Sequence, residues 1–245
     1  MRPLRTIGQR TVSRSCSSRT LMRGGSAWRR MIHGDRQSGI RVADAKTVID
    51  RLADIMHQVP GLPDRADITR LAAVGHSFGG QMTSMLPGAR MAASDADEDM
   101  SDTRVACGIL LASGGRGGSD LSDLGRRATP YLDTAFTHMD CPTLMVAGDA
   151  DRSPLTVRGP DWFYDPFYLS PGSKALLTLH GGEHMLGGIS GYEVVETSDE
   201  NPDRVRLVQD VTLAYLRRSL LGEEDRWAAL APGRDPQGSL LTASG

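Results

Sequence analysis

The chain is poor in cysteine, aromatic residues and lysine, and it has no long apolar run. Its three cysteines are widely spaced and form no C-x-x-C pair, so the sequence predicts neither a disulfide framework nor a thiolate metal site. No stretch approaches the roughly 18 consecutive apolar residues that a membrane-spanning helix needs. We therefore expect no membrane span and a reducing compartment, which favours the cytoplasm.

Acidic residues are absent from residues 1–33, which carry eight arginines, whereas residues 34–245 hold 20 basic and 30 acidic side chains. The first segment shows no helical or strand period, so we predict a largely unstructured leader. It lacks the apolar core of a secretory signal, while its composition, rich in arginine and serine, leaves a transit peptide open. Because its arginines are not interleaved with aromatic residues, we expect no nucleic-acid partner.

The rest of the chain alternates apolar runs with amphipathic segments. Short apolar runs bounded by glycine, proline or charge are typical of strands in a parallel sheet, and they cover residues 68–75, 105–113, 142–148 and 174–179. Apolar residues at steps of three and four predict helices over 40–59, 78–86 and 203–220. This alternation predicts an α/β domain over residues 34–222, with a mostly parallel sheet flanked by helices. A short helical turn and a frayed tail are expected over 223–245.

A G-x-S-x-G motif, Gly75 to Gly79, lies between the first predicted strand and the helix that follows it. A serine on such a tight turn is lifted away from the backbone, and we expect Gly75 and Gly79 to leave room for the turn. The first N–H of the helix, that of Phe78, would then stabilise a developing oxyanion. We predict Ser77 as a nucleophile, and a chance N-cap serine between glycines is the alternative interpretation.

Candidate acids and histidines follow the ends of two later strands. The segment after residue 148 contains Asp149 and Asp151, and the segment after residue 179 contains His180 and His184. A serine hydroxyl needs a base, and serine, acid and histidine at the ends of three predicted strands follow the chain order of one group of serine hydrolases. Asp149 is the alternative acid; otherwise it would brace its loop by accepting from backbone amides. No spacing of histidines or cysteines indicates a metal site.

From about residue 40 to residue 227, the chain resembles the α/β-hydrolase superfamily, and within it the dienelactone hydrolase, chlorophyllase and platelet-activating-factor acetylhydrolase group. In that group the acid lies in a G-x-x-D pattern and the base in a Gly-x-x-His loop. The resemblance therefore implies Asp151 as the acid and His184 as the base, beside Ser77. It implies a hydrolase of small-molecule carboxylic esters that works through an acyl-enzyme and uses no cofactor.

The resemblance also implies about eight strands, with the serine after the fifth, but only four are recognisable here, all from residue 68 onward. The upstream strands, and the loop that supplies the second oxyanion N–H, have no counterpart in residues 1–67. The first predicted strand would then be an exposed edge, through which the chain could form oligomers. A catalytically impaired remnant that acts as a binding module is the alternative function, and acyl transfer or perhydrolysis would use the same three residues.

Aromatic residues are concentrated between the predicted acid and the predicted base. Five of the twelve in the chain lie within residues 161–168. Such a cluster either walls an acyl or alcohol pocket or packs the loop against the edge of the sheet. The candidate wall residues are Trp162, Phe163, Tyr164 and Phe167.

Overall fold

The computed structural model describes residues 34–91, 99–191, 195, 197–230 and 234–245. The leader predicted over residues 1–33 lies outside these ranges. Within them, no helix combines the length and the apolar character that a bilayer crossing needs.

Eight strands and seven α-helices are found in the described residues. The strands are β1 (Leu71–His76), β2 (Arg90–Met91), β3 (Val105–Leu111), β4 (Thr134–Ala135), β5 (Thr143–Gly148), β6 (Lys174–Leu179), β7 (Arg234–Asp235) and β8 (Gly238–Ala243). The helices are α1 (Gly34–Asp50), α2 (Leu52–His57), α3 (Phe78–Met85), α4 (Asp123–Ala128), α5 (Asp165–Leu169), α6 (Pro202–Leu221) and α7 (Asp225–Leu230). Two short 3₁₀ helices cover Gly118–Asp120 and Pro160–Tyr164.

Six strands form one central sheet in the order β1-β3-β5-β6-β8-β7. The first four are parallel, β8 runs antiparallel to β6, and β7 runs antiparallel to β8. The short strands β2 and β4 make a separate antiparallel pair. A mostly parallel sheet flanked by helices confirms the predicted α/β class.

The inner strands are continuous apolar runs because both of their faces are covered. In β5 all six residues are buried, and neighbouring residues point to opposite faces of the sheet. Leu144 belongs to a cluster that includes Val208 and Val211 of α6, whereas Met145 belongs to a cluster that includes Met85 of α3. The sheet therefore lies between α6 on one face and α3, with α1, on the other.

The outermost parallel strand, β1, is much less covered than the strands beside it. Within the part of the chain that the structure describes, β1 pairs only with β3. Its residues are half-buried except Val74, which is 51% exposed. The residue that follows β1 is Ser77, so the nucleophile candidate stands at the end of an edge strand.

Two expectations about the segments at either end of the domain are wrong. The single helix expected over residues 40–59 is two helices, α1 and α2, because Arg51 departs from helical geometry with φ −101° and ψ 8°. The tail expected to fray beyond residue 222 contains, after α7, the strand β8, which pairs with β6 along all six of its residues. The physical reason is that β6 has an apolar edge, and a hairpin turn at Asp235–Gly238 returns the chain along it.

Candidate active site

Ser77 stands on a strained turn between β1 and α3. Its φ of 56° and ψ of −124° are unusual for a residue with a side chain. The turn is fixed on both sides, since the N–H of Ser77 donates to the carbonyl of Leu111 at the end of β3 (2.9 Å) and its carbonyl accepts from Gln81 N–H (3.0 Å). The hydroxyl is thereby presented at the carboxyl end of the sheet.

Glycine is required at Gly75, as expected, and at Gly80 instead of Gly79. A methyl group on Gly75 would lie 2.2 Å from the carbonyl oxygen of Gly79, and one on Gly80 would lie 2.9 Å from both Gly75 O and Ser113 Cβ. A methyl group on Gly79 would have no atom within 4 Å. The expectation that Gly79 makes room for the turn is therefore wrong; Gly75 and Gly80 do so.

Ser77, His184 and Asp151 form one continuous chain of hydrogen bonds. The Oγ of Ser77 lies 2.8 Å from Nε2 of His184, and Nδ1 of His184 lies 2.9 Å from Oδ2 of Asp151. The Asp151 side chain is 1% exposed, so its carboxylate cannot be solvated by bulk water and orients the imidazole instead. With Nδ1–H donating to Asp151, Nε2 is free to accept the Ser77 proton.

The other candidate acid, Asp149, has a different partner. Its Oδ1 accepts from the N–H of Gly181 at 2.6 Å, which ties the end of β5 to the start of the histidine loop. This is the bracing role that the sequence left open for Asp149. Nearby, Nδ1 of His180 faces the carbonyl of Pro236 at 3.2 Å and contributes to the same framework.

The loop that carries His184 is held by an ion pair that sequence reasoning missed. The Oδ2 atom of Asp199 accepts from Glu183 N–H (2.8 Å) and Gly187 N–H (2.9 Å), on either side of His184. Arg204 of α6 pairs with Asp199 at 3.4 Å and donates to the carbonyl of His180 at 2.9 Å. These contacts fix the backbone on both sides of the imidazole.

A second histidine, His76, also positions the loop. Its Nε2 donates to the main-chain carbonyl of His184 at 2.7 Å, and the two rings are 5.1 Å apart. Desolvation lowers the pKa of His76 and outweighs the opposing effect of that hydrogen bond. The neutral form is favoured, which avoids two adjacent imidazolium charges.

Ser77 and His184 open into a pocket of about 410 Å³. Its lining is mainly apolar and includes Leu132, Trp162 and Phe163. For Tyr164 and Phe167 the packing alternative holds, because Phe167 belongs to the core cluster beneath α3 and Tyr164 packs against that core, and neither lines the pocket. The aromatic cluster thus divides between pocket wall and packing.

Two further residues contribute to the site without having been anticipated. Gln81 lines the pocket one helical turn after Ser77, is 3% exposed, and donates from Nε2 to Thr134 Oγ1 at 3.2 Å. Arg152 lines the pocket directly after Asp151. The four-residue spacing between Ser77 and Gln81 was a usable signal, since it puts their side chains on one face of the helix. The sequence around Asp199 and Arg204 carries no comparable signal.

This arrangement can move a proton from a hydroxyl to an imidazole beside an apolar cavity. The N–H of Phe78 opens α3 next to Ser77, where a helix N-terminus favours negative charge. Among the described residues, no group of three histidine, cysteine or carboxylate side chains could hold a metal ion. The chain matches no known family model, and it matches no curated protein.

Proposed function

We propose that the chain is a serine hydrolase of the α/β-hydrolase fold that cleaves small-molecule carboxylic esters. The observation that carries this proposal is the hydrogen-bonded series from Asp151 through His184 to Ser77, opening on a largely apolar pocket of about 410 Å³. The positions of the three residues after β1, β5 and β6 support the fold assignment, because that fold supplies them in this order from strand ends.

In the first half of the reaction, Ser77 Oγ attacks the ester carbonyl and its proton passes to Nε2 of His184. Asp151 stabilises the imidazolium that forms, and the N–H of Phe78 donates to the oxyanion. The tetrahedral intermediate collapses, the C–O bond to the alcohol breaks, and the alcohol leaves with the proton from His184. The acyl group is then bonded to Ser77.

In the second half, a water molecule gives a proton to His184 and attacks the acyl carbonyl. The second tetrahedral intermediate expels Ser77 Oγ, which recovers its proton from His184, and the carboxylic acid is released. An alcohol or hydrogen peroxide in place of water would give acyl transfer or perhydrolysis with the same residues. Product analysis with competing acceptors separates these reactions from hydrolysis.

A fluorophosphonate probe tests the proposal, because it bonds covalently to an activated serine. The unaltered protein should be labelled, and Ser77→Ala should abolish labelling. Replacing His184 with alanine should slow labelling by about a thousandfold or more, since the nucleophile then lacks its base. The exposed Ser239 of β8 provides a matched control, and Ser239→Ala should be labelled as fast as the unaltered protein. Equal labelling of Ser77→Ala and unaltered protein would refute the proposal.

The open edge of β1 favours a second function, in which a catalytically impaired hydrolase binds a partner. β1 has one neighbouring strand in the described ranges, and Val74 on it is exposed. Such an edge offers backbone N–H and C=O groups to another strand, including β1 of a second copy. Turnover of a short-chain 4-nitrophenyl ester by a purified monomer would exclude this alternative.

A further inference from the structure

The pocket beside Ser77 contains one permanent charge in an otherwise neutral lining. Arg152 carries that charge, and no carboxylate is among the described residues that line the pocket. Apart from His184, the other lining residues are apolar or carry neutral polar groups, such as Gln81 and Ser153. Arg152 is exposed, so water and salt screen its charge in part, but apolar walls beside it focus its field and draw anions toward the pocket.

Arg152 has no partner of its own within the described ranges, where its guanidinium makes neither a hydrogen bond nor an ion pair. The neighbouring carboxylate, that of Asp151, faces His184 instead. Arg158, six residues later in the same loop, differs sharply because it pairs with Asp120, Asp161 and Asp165. The loop therefore contains one arginine that braces structure and one whose donors remain available to a ligand.

An anionic substrate needs such a cation at this site. The hydrogen-bonded Asp151 and His184 carry one net negative charge when the imidazole is neutral, and that charge repels an incoming anion. Arg152 follows Asp151 directly and offsets this repulsion at the pocket. An arginine also offers a planar fork of N–H donors, which matches a carboxylate with two parallel hydrogen bonds.

We propose that Arg152 is a specificity-determining residue, and that the pocket takes esters that carry an anionic group, such as a carboxylate, in the acyl or the alcohol part. This inference rests on the proposed ester hydrolysis. The apolar walls contact the hydrocarbon part of such a substrate, Ser77 lies at the scissile carbonyl, and Arg152 binds the anionic end.

Paired esters that differ in charge but hardly in shape test the inference. For the acyl part, the pair is mono-4-nitrophenyl adipate and 4-nitrophenyl hexanoate; for the alcohol part, it is 3-butyryloxybenzoate and its methyl ester. The measured quantity is the ratio of kcat/KM for the anionic ester to that for the neutral one, corrected with Ser77→Ala as the blank. We expect a ratio above one in one of the two pairs.

Substitution of Arg152 should then change that ratio in a graded way. Arg152→Gln should lower it about tenfold, because a charge-assisted hydrogen bond is lost from a partly solvated site. Arg152→Lys should keep part of the preference, and Arg152→Glu should reverse it. Arg127 on α4 is also exposed and unpaired but lies outside the pocket lining, so Arg127→Gln should leave the ratio unchanged.

The outcomes separate the inference from the proposed function. Hydrolysis of both esters with a ratio that Arg152→Gln and Arg152→Glu do not alter would overturn the inference alone. An equal loss of kcat/KM for the anionic and the neutral ester would also overturn the inference, because Arg152 would then serve a general step of the reaction. Absence of hydrolysis in every pair, together with absence of fluorophosphonate labelling, would overturn the function and the inference with it.

Discussion

At the scale of single residues, the two outer glycines of the motif have opposite surroundings. Gly75→Ala would force a methyl group within 2.2 Å of a backbone oxygen, so we expect it to lower the free energy of unfolding by about 3 kcal/mol. Gly79, the second residue of α3, has open space around a Cβ, and alanine favours helix more than glycine does. Gly79→Ala should therefore leave the free energy of unfolding unchanged or raise it by about 0.5 kcal/mol.

Urea denaturation of the two variants measures both effects, and the rate of fluorophosphonate labelling reports the geometry of the turn. Gly79→Ala is the matched control, since it adds the same methyl group to the same motif. Equal stability of the two variants would contradict the assignment of the close approach to Gly75.

The residues of the site that could be predicted are those whose chemistry depends on local sequence. Ser77 was identified from its glycines and from the strand before it. Strand ends narrowed the acid and the base to two candidates each, and the resemblance to α/β-hydrolases then selected Asp151 and His184. The labelling experiment tests whether these three act as predicted. Asp199 was missed because it acts through main-chain N–H groups 12 and 16 residues away, and such a contact leaves no pattern in the sequence.

At the scale of elements, the loop between β6 and α6 depends on Asp199. Its carboxylate fixes two backbone N–H groups beside His184 and pairs with Arg204, whose side chain is 14% exposed. Asp199→Ala should lower the free energy of unfolding by about 3 kcal/mol, because a buried cation loses its partner. It should also slow labelling of Ser77 about tenfold, since His184 loses its fixed position.

Glu200, the exposed neighbour of Asp199, provides the control. Glu200→Ala should change neither the free energy of unfolding nor the rate of labelling. Asp199→Asn keeps an acceptor of the same shape and should restore part of the labelling rate. Labelling is measured at temperatures well below unfolding, so that loss of position is separated from loss of structure. An unchanged labelling rate in Asp199→Ala would show that His184 is held without this carboxylate.

At the scale of the whole molecule, the last twelve residues complete the sheet. Deleting residues 234–245 would leave β6 without its antiparallel neighbour and would remove Leu240, which packs against the core beneath α6. We expect the free energy of unfolding to fall by about 5 kcal/mol, at about 1 kcal/mol for each lost hydrogen bond. The truncated chain should also aggregate, because an apolar edge is exposed.

Thermal denaturation followed by circular dichroism measures this loss, and light scattering measures the aggregation. Removing only Ser244 and Gly245, which lie beyond β8, is the control and should leave the unfolding temperature nearly unchanged. A truncation at residue 233 as stable as the full chain would contradict a structural role for β8.

The sequence predicted all four parallel strands, the half-buried edge strand β1 as well as β3, β5 and β6, because each coincides largely with a short apolar run. The antiparallel strands were not predicted. β8 was missed because it is half exposed and preceded by proline and glycine, a composition typical of a fraying end. Its strand structure comes from pairing with β6, which is a tertiary effect on a weak local preference.

The position of Ser77 at the end of an edge strand has a consequence for the temperature range of activity. Among the described residues, β1 is hydrogen-bonded to one neighbouring strand and is half-buried, whereas β5 is buried along its whole length between two neighbours. Local opening costs least where burial and pairing are least, so amide protons of β1 should exchange with solvent faster than those of β5. Ser77, the proposed nucleophile, therefore depends on the sheet segment that opens first, and heat should abolish the proposed activity before it unfolds the core.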